Sequence, residues 1–270
     1  MKVDDFRLPR SRWPRLQLFE FTDLPGLPRP IRRWLGDYLR GIVTLTRLFE
    51  PAAPRIAALL RSTGTDQVVD LCSGAGGPWP ALAPGVEAAL GRAVHVRLTD
   101  LHPDGDAWAW LEASAARGVT GHPGAVPADH VPAELPGVRT LFDGFHHLPP
   151  ASARAVLADA SRRGMPLLAA EAVERSALGL IGVLFSPVLV WLVTPFLRPV
   201  TLSRLFFTYA VPLVPLLVLF DGVVSVLRCY RPEELLALSA GLPGDLEWRV
   251  ERARPWGPAA TFLVGTPRQR

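Results

Sequence analysis

Lysine is almost missing from this 270-residue chain, because Lys2 is the only lysine among 29 basic residues. The acidic residues number 25, so the formal net charge is only +4. Beyond the N-terminal region, no block of basic residues is interleaved with aromatic side chains, and no nucleic-acid partner is expected. Arginine in place of lysine, with 28 prolines and 23 glycines, is more typical of a coding bias than of a binding surface.

Cysteine is equally scarce. Cys72 and Cys229 are far apart and lack the spacing of a metal site, which excludes a disulfide framework and predicts a reducing, cytoplasmic compartment. No apolar stretch follows the first charged residues, so no secretory signal is expected. Apolar residues make up 49% of the chain, enough for the core of an α/β domain.

The rest of the chain is organised around a short apolar run that ends in Asp70 and a glycine-rich bend. Valines favour a strand that is buried on both faces. Glycines let the backbone turn sharply and let a ligand approach it. Open α/β sheets bind cofactors at the carboxyl ends of such strands. The third glycine of the dinucleotide fingerprint is missing, because Trp79 stands there.

Asp70 lies four residues before Gly74, where it would repel a pyrophosphate but can bind a cationic, amine-bearing ligand. This arrangement resembles motif I, D/E-x-x-x-G-x-G, of the class I S-adenosylmethionine (SAM) methyltransferases. The resemblance implies an α/β, Rossmann-like sheet of seven mostly parallel strands with an antiparallel last strand, preceded by helices that cover the pocket. It also implies SAM as cofactor, bound by Asp70, Ser73, Gly74, Ala75, Gly76, Asp100, Leu101 and Asp129.

Asp100 ends the second predicted strand, one strand-helix-strand repeat after Asp70. A carboxylate at this position can accept hydrogen bonds from both ribose hydroxyls, and NAD enzymes share that feature. In the methyltransferases an acidic residue after the third strand meets the adenine amino group. Asp129 is the candidate for that role, although an acidic residue in a surface loop is also common without a ligand.

Two adjacent histidines, His146 and His147, follow the fourth predicted strand. Their His-His-Leu-Pro exit resembles that of many small-molecule methyltransferases. A neutral imidazole there can remove a proton from an acceptor hydroxyl, so both are predicted catalytic residues. The alternative is that one histidine packs and holds the loop. Metal binding is not expected, because adjacent side chains of a strand point to opposite faces.

No charged residue occurs in residues 177–197 or in residues 205–220. The first run is long enough to span a bilayer, whereas the second is short and contains two prolines. A spanning hairpin would place Arg198 and Arg204 on the far side, against the positive-inside tendency. The pattern favours an apolar helical insertion, residues 176–227, that lies in or on a membrane or closes over an apolar substrate pocket.

Charged residues beside this insertion are the predicted substrate ligands. Asp221 and Arg228 share one helical face after the second apolar run, and Glu171 ends the fifth predicted strand. They either hold the polar group of an acceptor or pair with one another to fix the insertion. The predicted set is Glu171, Arg198, Asp221 and Arg228.

The expected organisation is an N-terminal arm, residues 1–31, and one methyltransferase-like domain, residues 32–270. The arm mixes arginines with aromatic residues, and it either lies over the domain or contacts anionic lipid. The arginines that lie among these aromatic residues are Arg7, Arg10, Arg12 and Arg15.

The predicted function is methyl transfer from SAM to an apolar small-molecule or lipid-like acceptor, with peripheral or monotopic association at the membrane surface. One alternative is an NAD(P)-dependent oxidoreductase on the same sheet. The short-chain type is disfavoured, because a chain whose only lysine is Lys2 has no Tyr-x-x-x-Lys pair. The other alternative is a non-catalytic, membrane-associated binding protein that keeps the fold.

Overall fold

The computed structural model describes residues 8–9, 13–114, 118–253 and 259–268. Arg7, Arg10 and Arg12 of the predicted arm lie outside the described residues. The strands are β1 (Gln67–Leu71), β2 (His95–Leu98), β3 (Val119–Gly121), β4 (Val138–Phe142), β5 (Leu167–Glu171), β6 (Leu246–Ala253) and β7 (Ala260–Pro267). The helices are α1 (Arg29–Thr46), α2 (Ala52–Thr63), α3 (Trp79–Leu90), α4 (Gly105–Ser114), α5 (Pro150–Arg162), α6 (Ala177–Leu184), α7 (Ser186–Val193), α8 (Leu202–Tyr209), α9 (Leu213–Arg228) and α10 (Pro232–Ser239).

The strands form one sheet in the order β3-β2-β1-β4-β5-β7-β6. β1 to β5 run parallel to one another, β7 runs antiparallel to β5, and β6 pairs antiparallel with β7. β7 is therefore the one strand of this sheet that runs against the others. The prediction of a seven-stranded, mostly parallel sheet with an antiparallel last strand is confirmed. Val68 and Val69 are buried on opposite faces of the central strand, each in its own hydrophobic core.

Two helices precede β1, as the resemblance to the methyltransferases implied. α1 is followed by Arg47, whose backbone is left-handed with φ 50°, and α2 begins just after Pro51. Pro54 lies in the first turn of α2, where a missing backbone N–H removes no helical hydrogen bond.

Helices α6 to α9 form an apolar segment, residues 176–227, between β5 and α10. This segment packs on α1, where Trp34 stacks on Phe207 with ring centroids 5.1 Å apart. Among the described residues, no single helix has both the length and the apolar character to cross a membrane. Two bent pairs, α6 with the stretch Ser186–Phe196 and α8 with α9, reach that length and composition together.

A buried ionic cluster fixes the apolar segment to α1. The Asp37 carboxylate lies 2.6 Å from Arg40 and 2.7 Å from Arg204, and the second guanidinium also donates to the carbonyls of Leu197 and Pro199. Arg204 is 1% exposed and Asp37 is 3% exposed. Burial raises the pKa of Asp37 in spite of the arginines, so desolvation outweighs their attraction.

Asp37→Ala is expected to destabilise the protein by about 3–5 kcal/mol, because it leaves Arg204 buried without its carboxylate. The double variant Asp37→Leu with Arg204→Met should recover part of that loss, since Arg204 then needs no partner, whereas Arg40 still lacks its carboxylate. Urea unfolding measures both. Glu50→Ala is the control, because it removes an exposed pair with Arg47 and should change stability by less than about 1 kcal/mol. An equal loss in Asp37→Ala and Glu50→Ala would contradict the structural role of the cluster.

Candidate functional site

The two acidic strand ends lie at the same edge of the sheet, because β1 and β2 are parallel neighbours. Asp70 belongs to β1, and Asp100 follows β2 by two residues. The backbone N–H of Gly74 donates to Oδ2 of Asp100 at 2.9 Å, and that of His102 donates to Oδ1 at 2.8 Å. The indole of Trp108 donates to the Gly74 carbonyl at 2.9 Å. Asp100 is therefore bonded directly to the glycine-rich loop.

The loop after β1 needs its glycines for conformation and for space. Gly74 has φ 49° and Gly76 has φ 99°. A Cβ on Gly76 would lie 2.1 Å from Cδ1 of Leu111, so a larger residue does not fit there. Cys72 adopts φ 52° without being glycine, a backbone conformation that is strained for a side chain with a Cβ.

Asp70 points into the protein rather than toward solvent. Its carboxyl is 1% exposed and accepts the Thr140 hydroxyl at 2.6 Å. Its backbone carbonyl accepts the hydroxyls of Ser73 and Thr99 at 2.8 and 2.7 Å. Burial raises the pKa of Asp70 to about 6 despite hydrogen bonds that favour the charged form. The residue expected to face the ligand thus lies beneath the loop and supports it.

Asp129 is exposed on the loop after β3. The backbone N–H of Val126, on the same loop, donates to the Asp100 carbonyl at 2.9 Å. The loop that carries Asp129 is therefore bonded to Asp100 at this edge of the sheet.

The remaining loop residues differ in exposure, and helix α1 covers part of them. Ser73 is 6% exposed, whereas Leu101 is 55% exposed.

Arg40 of α1 donates to the Ala75 carbonyl at 3.2 Å and to the Arg198 carbonyl at 3.0 Å. Sequence reasoning missed Arg40, because its partners are backbone carbonyls 35 and 158 residues away.

His146 and His147 lie in a 3-10 turn, Phe145–His147, and not in a strand. Their rings are on the same side, with centroids 4.4 Å apart. The expectation that the two adjacent histidines point to opposite faces is therefore wrong, since the alternation of a strand does not apply to this turn.

His146 is 4% exposed and lies between two carboxylates. Its Nδ1 is 2.5 Å from Oε2 of Glu171, whose Oε1 accepts the backbone N–H groups of Phe145 and His146. Burial alone would lower the pKa of His146, but Glu171 and Glu20 outweigh it and raise this pKa to about 10. At neutral pH the ring is an imidazolium, which has no lone pair to accept a proton.

His147 is 28% exposed and contacts two residues of the N-terminal arm. Its Nδ1 lies 2.6 Å from Oδ1 of Asp23, and its Nε2 lies 3.6 Å from Oε2 of Glu20. Glu20 is 4% exposed, and its other oxygen is 3.5 Å from Nε2 of His146. Sequence reasoning missed both carboxylates, because the arm shows no periodicity that would place it against the exit from β4.

Three of the four predicted substrate ligands, Glu171, Asp221 and Arg228, lie around residues 20–23 of the arm or the His146 ring that contacts them. Asp221 accepts the backbone N–H groups of Phe21 and Thr22, and Arg228 lies 2.5 Å from Asp23, so both hold the arm. The Arg198 side chain is exposed. Glu171 is bound to the turn that carries the two histidines, as described above. A substrate role for these four residues stays a prediction.

No protein-family model matches the chain, and no curated protein matches it. Solved structures do show similarity. The mitomycin 7-O-methyltransferase MmcR is 16% identical, with a TM-score of 0.48 over 92% of this chain and 61% of that one. Human N-acetylserotonin methyltransferase in complex with SAM is 13% identical, with a TM-score of 0.49 over 93% of this chain and 64% of that one. A Rhodobacter sphaeroides protein, described provisionally as a zinc-dependent alcohol dehydrogenase, is 15% identical, with a TM-score of 0.48 over 88% of this chain and 98% of that one.

The strand order 3-2-1-4-5-7-6, with β7 antiparallel and an acidic glycine-rich loop after β1, decides the fold. The chain has the fold of a class I SAM-dependent methyltransferase. It spans 61% and 64% of the length of the two methyltransferases compared. Within this methyltransferase fold, the candidate site lies at the carboxyl edge of β1, β2 and β4, where such sheets bind ligands.

Asp70→Asn is expected to stabilise the protein at pH 7.5. The pKa of Asp70 is raised from 3.8 to about 6, so its contribution is present below pH 3.8 and is lost as the pH rises through 6. The charged carboxylate then opposes folding by up to about 3 kcal/mol. An asparagine keeps an acceptor for Thr140 without that charge.

The measurement is urea unfolding of both proteins at pH 4.5 and pH 7.5. The stability advantage of Asp70→Asn should be larger at pH 7.5. Asp66→Asn, at a partly exposed position beside the other end of β1, serves as control and should show no gain in stability between pH 4.5 and pH 7.5. A variant at Asp70 that is less stable at pH 7.5 would show that the charged form is favoured by folding.

Proposed function

We propose that this protein transfers a methyl group from SAM to a small-molecule acceptor at the carboxyl edge of its sheet. One observation carries the proposal, namely the bond between Asp100 and the backbone of Gly74. It joins a carboxylate suited to a ribose with a loop suited to close backbone approach.

In this proposal Asp100 binds the ribose hydroxyls. Its two oxygens each accept one backbone N–H, from Gly74 and from His102, and a carboxylate has about four acceptor positions. Two positions therefore remain for a diol. Asp129 takes the adenine amino group. Asp70 supports the loop from below through its backbone carbonyl, which accepts the Ser73 hydroxyl, while its carboxyl is bonded to Thr140 rather than to the methionyl amine.

The chemistry requires alignment more than proton transfer. A sulfonium methyl is already electrophilic, so holding the acceptor in line with it supplies most of the rate enhancement. SAM supplies the methyl group when bound, and the chain supplies the orientation. If the acceptor is a hydroxyl, His147 is the proposed proton acceptor of the pair, because His146 is held as an imidazolium between Glu171 and Glu20.

Asp100→Ala should weaken SAM binding at least about tenfold, because both ribose hydrogen bonds are lost. Isothermal titration with SAM measures this, and NADH titrated in parallel tests the oxidoreductase alternative. Asp106 is an exposed acidic residue at the start of α4. Asp106→Ala is the matched control and should leave the SAM affinity unchanged. Unchanged affinity in Asp100→Ala, or tighter binding of NADH than of SAM, would contradict the proposal.

We also propose that the apolar segment, residues 176–227, docks on a membrane surface. Among the described residues, sixteen of the twenty-four exposed large hydrophobic side chains lie in this segment. Leu202 is 85% exposed and Phe196 is 73% exposed. Phe19 of the arm continues the patch, with its ring centroid 5.6 Å from that of Phe220. Single exposed apolar residues are ordinary, whereas a continuous patch marks an interaction surface.

A lipid surface is the occupant that the composition favours. Residues 177–197 and 205–220 carry no charge, which suits burial at the boundary of head groups and acyl chains. The chain is basic, with a net charge of +4, so anionic lipid would add attraction. Arg40 bonds both to the glycine-rich loop and to Arg198 of this segment, so an acceptor dissolved in the membrane would enter close to the cofactor loop.

Leu202→Glu with Phe196→Glu should reduce binding to anionic vesicles by at least about tenfold, because two charges would enter the interface. Co-sedimentation with phosphatidylglycerol-containing vesicles measures it. Leu236→Glu, exposed on α10 outside the segment, is the matched control. Vesicle binding that is unchanged in the double variant would overturn the proposal. A dimer that becomes a monomer, without any vesicle binding, would instead identify the patch as a contact between two copies.

A further inference from the structure

We propose that Glu20, His146 and His147 form a binding site for a divalent transition metal, with zinc the best match. Nε2 of each histidine and the Glu20 carboxylate supply the three ligand atoms. These atoms lie within 4.8 Å of one another. Two histidines and one carboxylate form a donor set that zinc takes in proteins, leaving its fourth position open.

The distances fit metal ligands better than hydrogen-bonded partners. Nε2 of His146 is 3.5 Å from one Glu20 oxygen, and Nε2 of His147 is 3.6 Å from the other. Both exceed the 2.7–3.2 Å usual for N–H···O hydrogen bonds. Two ligands of a tetrahedral zinc, each about 2.0–2.1 Å from the metal, lie about 3.3 Å apart. The separation of each ring nitrogen from the Glu20 carboxylate is therefore close to that of two ligands of one metal ion.

Each ring is also oriented as a metal ligand. Nδ1 of His146 is 2.5 Å from Glu171, and Nδ1 of His147 is 2.6 Å from Asp23. A carboxylate on Nδ1 holds the proton there and leaves the Nε2 lone pair available, the arrangement usual for zinc-bound histidines. Among the described residues, Nε2 of His146 is buried with no hydrogen-bond partner. That atom points toward Glu20, where the metal would lie.

The charge around the site favours a cation. Glu20, Asp23 and Glu171 supply three carboxylates within contact of the two rings. The positive charge of Arg228, 3.4 Å from Glu20, disfavours a cation there. Its closer partner is Asp23, at 2.5 Å. A divalent ion would add positive charge between these carboxylates, and its binding requires both imidazoles in the neutral form.

A second group of potential ligands, His146 with Glu171 and Cys229, is less suitable. A metal there would have to take Nδ1 of His146 away from Glu171. The Cys229 thiol would also have to ionise, and burial and Glu171 raise its pKa well above the ordinary value. The site at Glu20 requires neither change, so it is the one proposed.

This inference does not rest on the proposed methyl transfer, because metal binding can be measured without SAM or acceptor. It does bear on that function. A metal would occupy Nε2 of both rings, so His147 could accept a proton from an acceptor only in the metal-free protein. It would also tie the N-terminal arm to the exit from β4, since Glu20 belongs to the arm.

The test uses the full chain after treatment with a chelator. Zn²⁺ is titrated in competition with a chromophoric chelator, and Co²⁺ is added separately to record its visible absorption, which reports tetrahedral coordination. One Zn²⁺ per chain is expected, with an intense Co²⁺ spectrum that Zn²⁺ abolishes. Glu20→Gln and His147→Gln should each lower the Zn²⁺ affinity by more than about tenfold, and Asp23→Asn by about 10–100-fold.

His95→Gln is the matched control, because His95 is exposed near the opposite edge of the sheet, at the start of β2. It should bind Zn²⁺ like the unmodified protein. Far-UV circular dichroism of each variant separates loss of ligand from loss of fold, and His147→Gln is the most informative, since His147 is only partly buried. Undetectable Zn²⁺ binding in the folded protein, or unchanged affinity in Glu20→Gln and His147→Gln, would overturn the proposal. Equal loss in His95→Gln would do the same.

Discussion

The Glu20 carboxylate lies beside two imidazoles and a guanidinium that belong to distant parts of the chain. It is 3.4 Å from Arg228 and 3.5 Å and 3.6 Å from the two histidines. A carboxylate that is 96% buried has lost its water, so positive charge must surround it. Because that charge comes from the exit of β4 and the end of α9, the arm, the sheet and the apolar segment all meet at this residue.

The same requirement explains how α1 is held. Arg40 and Arg204 share Asp37, and both guanidinium groups also donate to backbone carbonyls. One face of α1 contacts the glycine-rich loop through Gly36 and Ala75. Another face packs on the apolar segment. α1 therefore connects the apolar segment to the glycine-rich loop.

Asp70 of β1 supports the proposed site, but its buried carboxylate lowers the stability of the fold. Asp70 is buried with Thr140 as its hydrogen-bond partner, and burial raises its pKa to about 6. A neutral residue there would fold more easily. Cys72 stores further strain in its left-handed backbone, two residues later. Strain and buried charge close to a ligand-binding edge are common where a site must be held in one geometry.

Much of the fold was predictable because it depends on local patterns. Apolar runs that end in an acid or a glycine marked the strands, and their spacing predicted a mostly parallel sheet. The loop from Asp70 to Gly76 and the strand-end position of Asp100 followed from the same logic. The resemblance to the methyltransferases supplied the antiparallel last strand, and the sheet order agrees with it.

The sequence alone determined the sheet, the glycine-rich loop and the position of the apolar segment, since each is set by residues close together in the chain. Only the tertiary structure decided what the charged side chains do. It turned Asp70 inward, assigned Asp221 and Arg228 to the arm, and brought Glu20 to the two histidines. Those pairings join residues 70 to 205 positions apart in the chain. The physical reason is that a buried charge is neutralised by whichever group packing brings near, and packing is a property of the whole fold.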